Sequence, residues 1–485
     1  MLNFLSSVED LINNRILGLI VGPMQRLVPN IPLWLQRGAI IVGVLLFSLA
    51  LPFFVPTQRL ILLPGLLMVL AALLVFVRWP PLGLIALIIT CLSVPSPSLP
   101  GGFNVAVLLL MLLIGLWLVD MIVIKREIRL VSSRAMGSLL ALVAIAIFAF
   151  GIGQLPWFVF GHQAPLDAQV GGLLIFVLAA GAFLLVAHQV YDLHWLQWLT
   201  WVFLGLSGLS IAGWLVPGLS IITNRMFQIG AVSNSMYWTW LVALAFSQAY
   251  LNDKLPWRGR ITLGVLALAT LYVAFFLNRD WKSGYLPPLA SVAVIIGLRN
   301  WRAGVVMAII APLGAFYLSQ DAIATDQYSY STRVDAWLIV LEMVKVSPIL
   351  GFGPANYYWY TPLFPIRGYA VQFNSHSQII DLIAQTGVLG LVCFMWFFGE
   401  MVRLGWWLRN RASTGFAQAY VYGVIGGVAG TLVASTLADW VLPFVYNIGL
   451  NGFRGAIPAW LFLGGLVSLE QIIRRQTNND PSKDN

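Results

Sequence analysis

The chain has 485 residues, 60% apolar and only 9% charged, with a mean hydropathy of +0.87. Soluble domains carry about 25% charged residues, so this composition excludes an ordinary soluble domain, and the lack of period-2 strands argues against a barrel. The formal net charge of +9 sits mostly in short loops between apolar runs, which points to topology anchors and anionic headgroups rather than nucleic acid.

The first thirty or so positions include Glu9, Asp10, Arg15 and Arg26. They have no short apolar core and no small-residue cleavage site, so they do not read as a cleavable signal. Leu11–Leu27 alternates apolar and polar residues at helical spacing and reads as an interfacial helix. About fourteen apolar segments of helix-spanning character follow: Ala39–Val55, Leu60–Val77, Leu82–Val94, Val105–Ile124, Ser138–Ile152, Gly171–Ala187, Leu196–Leu215, Ala231–Tyr250, Ile261–Leu277, Leu286–Leu298, Gly304–Leu318, Val388–Val402, Tyr420–Leu437 and Ile457–Leu469. Leu82–Val94 and Leu286–Leu298 are short for a full pass and read as re-entrant or paired with a neighbour. The two cysteines, Cys91 and Cys393, lie in apolar runs and form neither a disulfide framework nor a metal spacing.

A cytoplasmic N-terminus puts Arg78, the Lys125–Arg134 cluster, Lys254, Arg258, Arg260, Arg299, Arg302, Arg403, Arg409, Arg411, Arg474 and Arg475 on the inner side, as the positive-inside rule requires. Arg59, Arg225, Arg279, Lys282, Arg333, Lys345, Arg367 and Arg454 then fall outside and need another explanation. The 18 acidic residues avoid predicted bilayer midplanes; Asp120, Glu400 and Asp439 fall near segment ends. That weighs against an ion-coupled transporter, as does the lack of an inverted repeat.

The large outer segment carries the chemistry. Thr332 reads as an N-cap with Asp335 three residues on, and Val334, Trp337, Leu338, Leu341 and Val344 form one apolar face of a helix that Pro348 ends. Gly351-Phe352-Gly353-Pro354 reads as a turn. The run Asn356, Tyr357, Tyr358, Trp359, Tyr360 suits an interfacial belt or sugar faces. Asn374 or Ser375 caps a second helix, closed by Gly387. His376 lies at its first predicted turn, where the dipole disfavours imidazolium, so a neutral ring can take a proton from a hydroxyl; a satisfied interfacial histidine is the other reading. His162 is also on the outer side, and His188 and His194 read as structural. Arg225 and Arg279, at outer ends of different segments, could hold a pyrophosphate or could meet lipid headgroups. No Walker loop, HExxH, zinc cluster or paired acidic motif appears.

The string Ser331-Thr332-Arg333-x-x-x-Trp337, then Pro348-Ile349-Leu350-Gly351-Phe352-Gly353-Pro354-x-Asn356, then His376-Ser377 with Leu382, Gln385, Gly387 and Gly390 resembles the O-antigen ligase superfamily. The resemblance implies an all-α polytopic membrane protein of about 12–14 transmembrane helices, with a GT-C-like architecture and a large helical periplasmic or extracellular loop. It implies that an undecaprenyl-diphosphate-linked glycan is transferred, without metal or cofactor, to an acceptor hydroxyl on a lipid, glycan or protein at the outer face of a bacterial inner membrane. By resemblance His376 is the base and Arg225 and Arg279 hold the diphosphate, with Arg333, Asn356 and Asn374 as possible support. The expected organisation is an N-terminal cytoplasmic or interfacial segment (1–37), a first membrane block (38–318), an external catalytic loop (319–385), a second block (386–473) and a cytoplasmic tail (474–485). An O-antigen or exopolysaccharide polymerase is the alternative within the superfamily. A polyprenyl-glycan flippase or transporter, or an inactive structural relative, is the alternative outside it.

Overall fold

The computed structural model describes residues 72–95, 102–227, 229–278, 281–307, 309–310 and 327–478. The chain divides into two compact units, Met1–Gly83 and Leu84–Asn485, and everything that follows concerns the second. The predicted helix Leu11–Leu27, the apolar segment Ala39–Val55, most of Leu60–Val77 and residue Arg279 lie outside the described residues.

All regular structure among the described residues is helical. The helices are α1 (Pro80–Ser93), α2 (Val105–Ile124), α3 (Arg134–Ile152), α4 (Leu166–Gln189), α5 (Leu193–Leu215), α6 (Pro217–Met226), α7 (Ser235–Leu251), α8 (Trp257–Leu277), α9 (Lys282–Arg299), α10 (Gln327–Val344), α11 (Gln378–Leu408), α12 (Phe416–Leu437) and α13 (Gly449–Asn478). Eight of them are long and apolar enough to cross a membrane: α2, α3, α4, α5, α8, α11, α12 and α13. The protein is therefore an all-α, multi-pass membrane protein.

Burial separates a centre from a periphery. In the most apolar stretch of α13 89% of residues are buried, against 28% in α2 and in α8. The α8 residues Ile261, Val265, Leu268, Tyr272 and Phe276 are exposed, an apolar stripe at helical spacing that only lipid can cover at low cost. Helix α12 lies inside, packed on α7 and α9. Its Gly430 lies so close to α9 that a Cβ there would sit 2.3 Å from Ser291 Oγ and 2.7 Å from the Pro287 carbonyl, the small-residue contact by which membrane helices approach closely. The two short predicted segments appear as α1, of 14 residues, and as α9, of 18 residues with Pro287 and Pro288 inside it.

One predicted outer cation is explained by this packing. Arg454 of α13 is 2% exposed. Its Nε donates to the Cys91 carbonyl at 2.7 Å, and one terminal nitrogen donates to Thr90 and Val94 carbonyls at 2.7 and 2.9 Å. It closes the carbonyl-rich end of α1, where the helix dipole favours a cation.

Candidate active site

The site is built on a crossing of two chain segments. After α10 the chain turns through Pro348–Gly353 and passes across α11. Phe352 and Gly353 amides donate to the carbonyls of Ala384 and Gln385 at 2.8 and 3.0 Å, and the Val388 amide donates back to Pro348 at 2.9 Å. Gly387 makes this possible: at φ 67° and ψ −172° it breaks α11, and a Cβ there would meet the Ile349 carbonyl oxygen at 2.1 Å. The sequence places the break at Gly387 correctly, but the chain resumes as helix at once and runs on to Leu408.

Two local expectations change. Helix α10 begins by Gln327, so Thr332 is inside it, its hydroxyl donating to the Tyr328 carbonyl at 2.6 Å. Its buried face is Ala336, Val340, Met343 and Val344, while Leu338 and Leu341 are 62% and 38% exposed. The packed stripe is thus rotated from the predicted one, because α10 seats on an aromatic cluster that includes Phe352, Tyr357, Tyr360 and Phe444. The aromatic run divides accordingly. Tyr357 and Tyr360 are buried, while Tyr358 and Trp359 turn to Tyr446: Tyr358 stacks on it at 4.6 Å, and Trp359 Nε1 donates to its hydroxyl at 2.6 Å.

His376 is not in the first turn of α11. It precedes the helix, which starts at Gln378 behind Ser377, and it has φ +47°. The left-handed conformation costs a non-glycine residue on the order of 1–3 kcal/mol and persists only where its surroundings enforce it. Both flanks are tied down. Ser375 is fully buried; its carbonyl accepts from Trp337 Nε1 at 2.7 Å and its amide donates to the Tyr357 hydroxyl at 3.2 Å. Its hydroxyl accepts from the Ser377 amide at 3.1 Å and donates to Asp381 Oδ1 at 2.8 Å. Tyr357 donates to the same carboxylate oxygen. Burial, then the Asp381 charge, push the Tyr357 hydroxyl well above the usual phenol range, so it stays a donor.

His376 opens onto a cavity of about 540 Å³. Helix α10 contributes Tyr328, Ser329, Thr332, Arg333 and Ala336; the loop before α11 contributes Ile366, Gln372, Phe373 and Asn374; Tyr358, Tyr446 and Asn447 complete the wall. Burial pushes the imidazole below its ordinary value; Asp439 pulls it up and Arg333 pulls it further down. The ring is therefore neutral at physiological pH, a state suited to accept a proton. Asp439 is fully buried, accepting from the Phe444 amide at 2.9 Å and from Asn447 Nδ2 at 2.6 Å. Burial raises its own carboxyl.

Of the predicted site residues, His376, Arg333 and Asn374 share this cavity. Asn356 does not line it. It is buried, donating to the Gly153 and Phe352 carbonyls at 3.0 and 2.8 Å and accepting from the Ala164 amide at 3.0 Å, and so fastens the crossing to the loop after α3. Arg225 is exposed in the last turn of α6 and is not among the residues lining the cavity. His188 is engaged structurally: its Nε2 accepts from the Val131 amide at 2.8 Å. Sequence reasoning missed Asp439, Tyr446 and Asn447. The signal available was a short polar and aromatic stretch between the last two spans. Among the described residues no three His, Cys, Asp or Glu side chains converge as metal ligands.

No curated protein matches the chain. Residues 257–395 match the family described as O-Antigen ligase. The matched region takes in Arg333, Asn356, Asn374 and His376 and stops short of Asp439, Tyr446 and Asn447. Together with the multi-pass helical fold, this match supports the O-antigen ligase superfamily for the chain.

Proposed function

We propose that the protein transfers a glycan from undecaprenyl diphosphate to an acceptor hydroxyl at the outer face of the bacterial cytoplasmic membrane, with both chain termini in the cytoplasm. The observation that carries the reading is a neutral histidine, held in a strained backbone conformation, opening onto a cavity of aromatic, amide and hydroxyl side chains inside the matched region. That lining suits sugar rings and their hydroxyls.

In the step proposed, His376 takes the proton of the acceptor hydroxyl as its oxygen bonds to the anomeric carbon. The bond from that carbon to the diphosphate breaks, and the electron pair leaves with the diphosphate. This leaving group is already ionised, so no acid is needed to expel it. Catalysis then rests on alignment, charge stabilisation and one base. Arg225 and Arg279 are the proposed diphosphate contacts, by resemblance, and the mechanism as written calls for no metal. Activity that vanished with EDTA and returned with magnesium would replace it with a metal mechanism.

The surface glycans of a deletion strain test the reading. Full-length chains left unattached on the lipid carrier indicate a ligase, and single repeat units on the acceptor indicate a polymerase of the same superfamily. Lipid-linked glycan trapped on the inner face would overturn both in favour of a flippase.

A further inference from the structure

The charges around the cavity do not balance locally. Helix α10 and the loop before α11 carry three described cations, Arg333, Lys345 and Arg367. Lys345 is paired with Glu342. Arg367 is paired with Asp335 at 2.7 Å, donates to Ser331 Oγ at 2.6 Å and lies over the Tyr328 ring at 4.9 Å. These pairs use both carboxylates of α10. Asp439, the acid that acts on His376, is already bonded to Phe444 and Asn447. Arg333 alone of the three cations has neither an ion pair nor a hydrogen bond among the described residues, and it is the only cation in the cavity lining.

We propose that Arg333 is an oxyanion-binding residue that holds a phosphoryl group of a substrate in the cavity beside His376. The guanidinium offers a planar fork matched to phosphate oxygens, and the side chain is exposed to the cavity without a competing carboxylate. Thr332, Asn374 and Asn447 supply neutral donors around it. The volume, about 540 Å³, is that of a small-ligand site. The arrangement also couples binding to chemistry. Arg333 lowers the basicity of His376 in the empty cavity, so an anion seated on Arg333 offsets that effect and makes the imidazole a stronger base.

The phosphoryl group has two sources, the diphosphate of the donor or a phosphate substituent on the acceptor sugar. Its identity as a substrate group rests on the transferase reading above; the binding itself does not.

The test uses the full chain in lipid nanodiscs and calorimetric titration with methyl diphosphate, glucose 6-phosphate and glucose. Arg333→Gln is expected to weaken at least one phosphate probe by about tenfold, Arg333→Lys to recover part of that loss, and Lys345→Gln to match the parent. A loss confined to methyl diphosphate assigns the donor; a loss confined to glucose 6-phosphate, with glucose unaffected, assigns the acceptor. The proposal is overturned if the parent binds neither phosphate probe, if Arg333→Gln changes affinity by less than about threefold, or if Lys345→Gln causes an equal loss. His376→Gln should keep the phosphate affinity of the parent; if it also kept transfer, the transferase base would be lost while the Arg333 result stood.

Discussion

Arg454 and Arg333 are both arginines that topology puts on the outer side of the membrane, and their surroundings are opposite. Arg454 sits in the helical bundle, 2% exposed, with Thr90, Cys91 and Val94 carbonyls on its guanidinium. Arg333 sits on the outer helix, exposed, beside a cavity and a histidine, with no partner of its own. The contrast separates two reasons for breaking the positive-inside bias. A cation whose donors are consumed by the fold is there for the fold, whereas a cation left free beside a polar cavity is available to a ligand. Arg367, paired and stacked, is intermediate: it latches the Ile366–Tyr369 turn to α10.

Stability measurements can break this contrast. Arg454→Leu strips donors from three carbonyls at the end of α1. Each buried acceptor left unpaired costs about 1–3 kcal/mol, so the loss in thermal unfolding in detergent should exceed about 3 kcal/mol. An unchanged melting temperature would mean that water reaches this end of α1 and that Arg454 is not a cap. Asp439→Asn should cost less, about 1–3 kcal/mol, because an amide can still accept one of the two bonds. It carries a second signature. Asp439 raises the pKa of His376, whose value burial holds below 6.5. Removing that charge lowers the imidazole further, so the acid limb of the transfer rate should move to lower pH. An unmoved limb would separate Asp439 from His376. Arg367→Gln removes a partly exposed pair and one ring contact, about 1 kcal/mol together. Arg333→Gln should leave stability within about 0.5 kcal/mol; a larger loss would make Arg333 a structural residue and erase the contrast.

The outer segment and its punctuation were legible in the sequence for physical reasons. Pro348 and the Gly351–Gly353 turn interrupt a helical pattern, and Gly387 breaks the next one because its backbone is crossed by Ile349. His376 stood out as a lone titratable group amid apolar runs. The apolar stripe of α10 was not legible, since a 3.6-residue period fits two neighbouring stripes and only the aromatic cluster beneath decides between them. The split of the aromatic run was half legible. Tyr357 and Tyr360 are three apart and share the buried face of a single helical turn, a spacing visible once the run is taken as helix. The wall formed by Asp439, Tyr446 and Asn447 was hidden, because it comes from beyond a whole further span and no local pattern links it to His376.

The central claim is that His376 is the base of glycan transfer. The most direct measurement is the transfer rate of purified His376→Asn in liposomes with lipid-linked donor and acceptor, alongside donor binding. The account predicts transfer slower by about 10²–10⁴-fold with donor affinity near that of the parent. Transfer at the parent rate would contradict it.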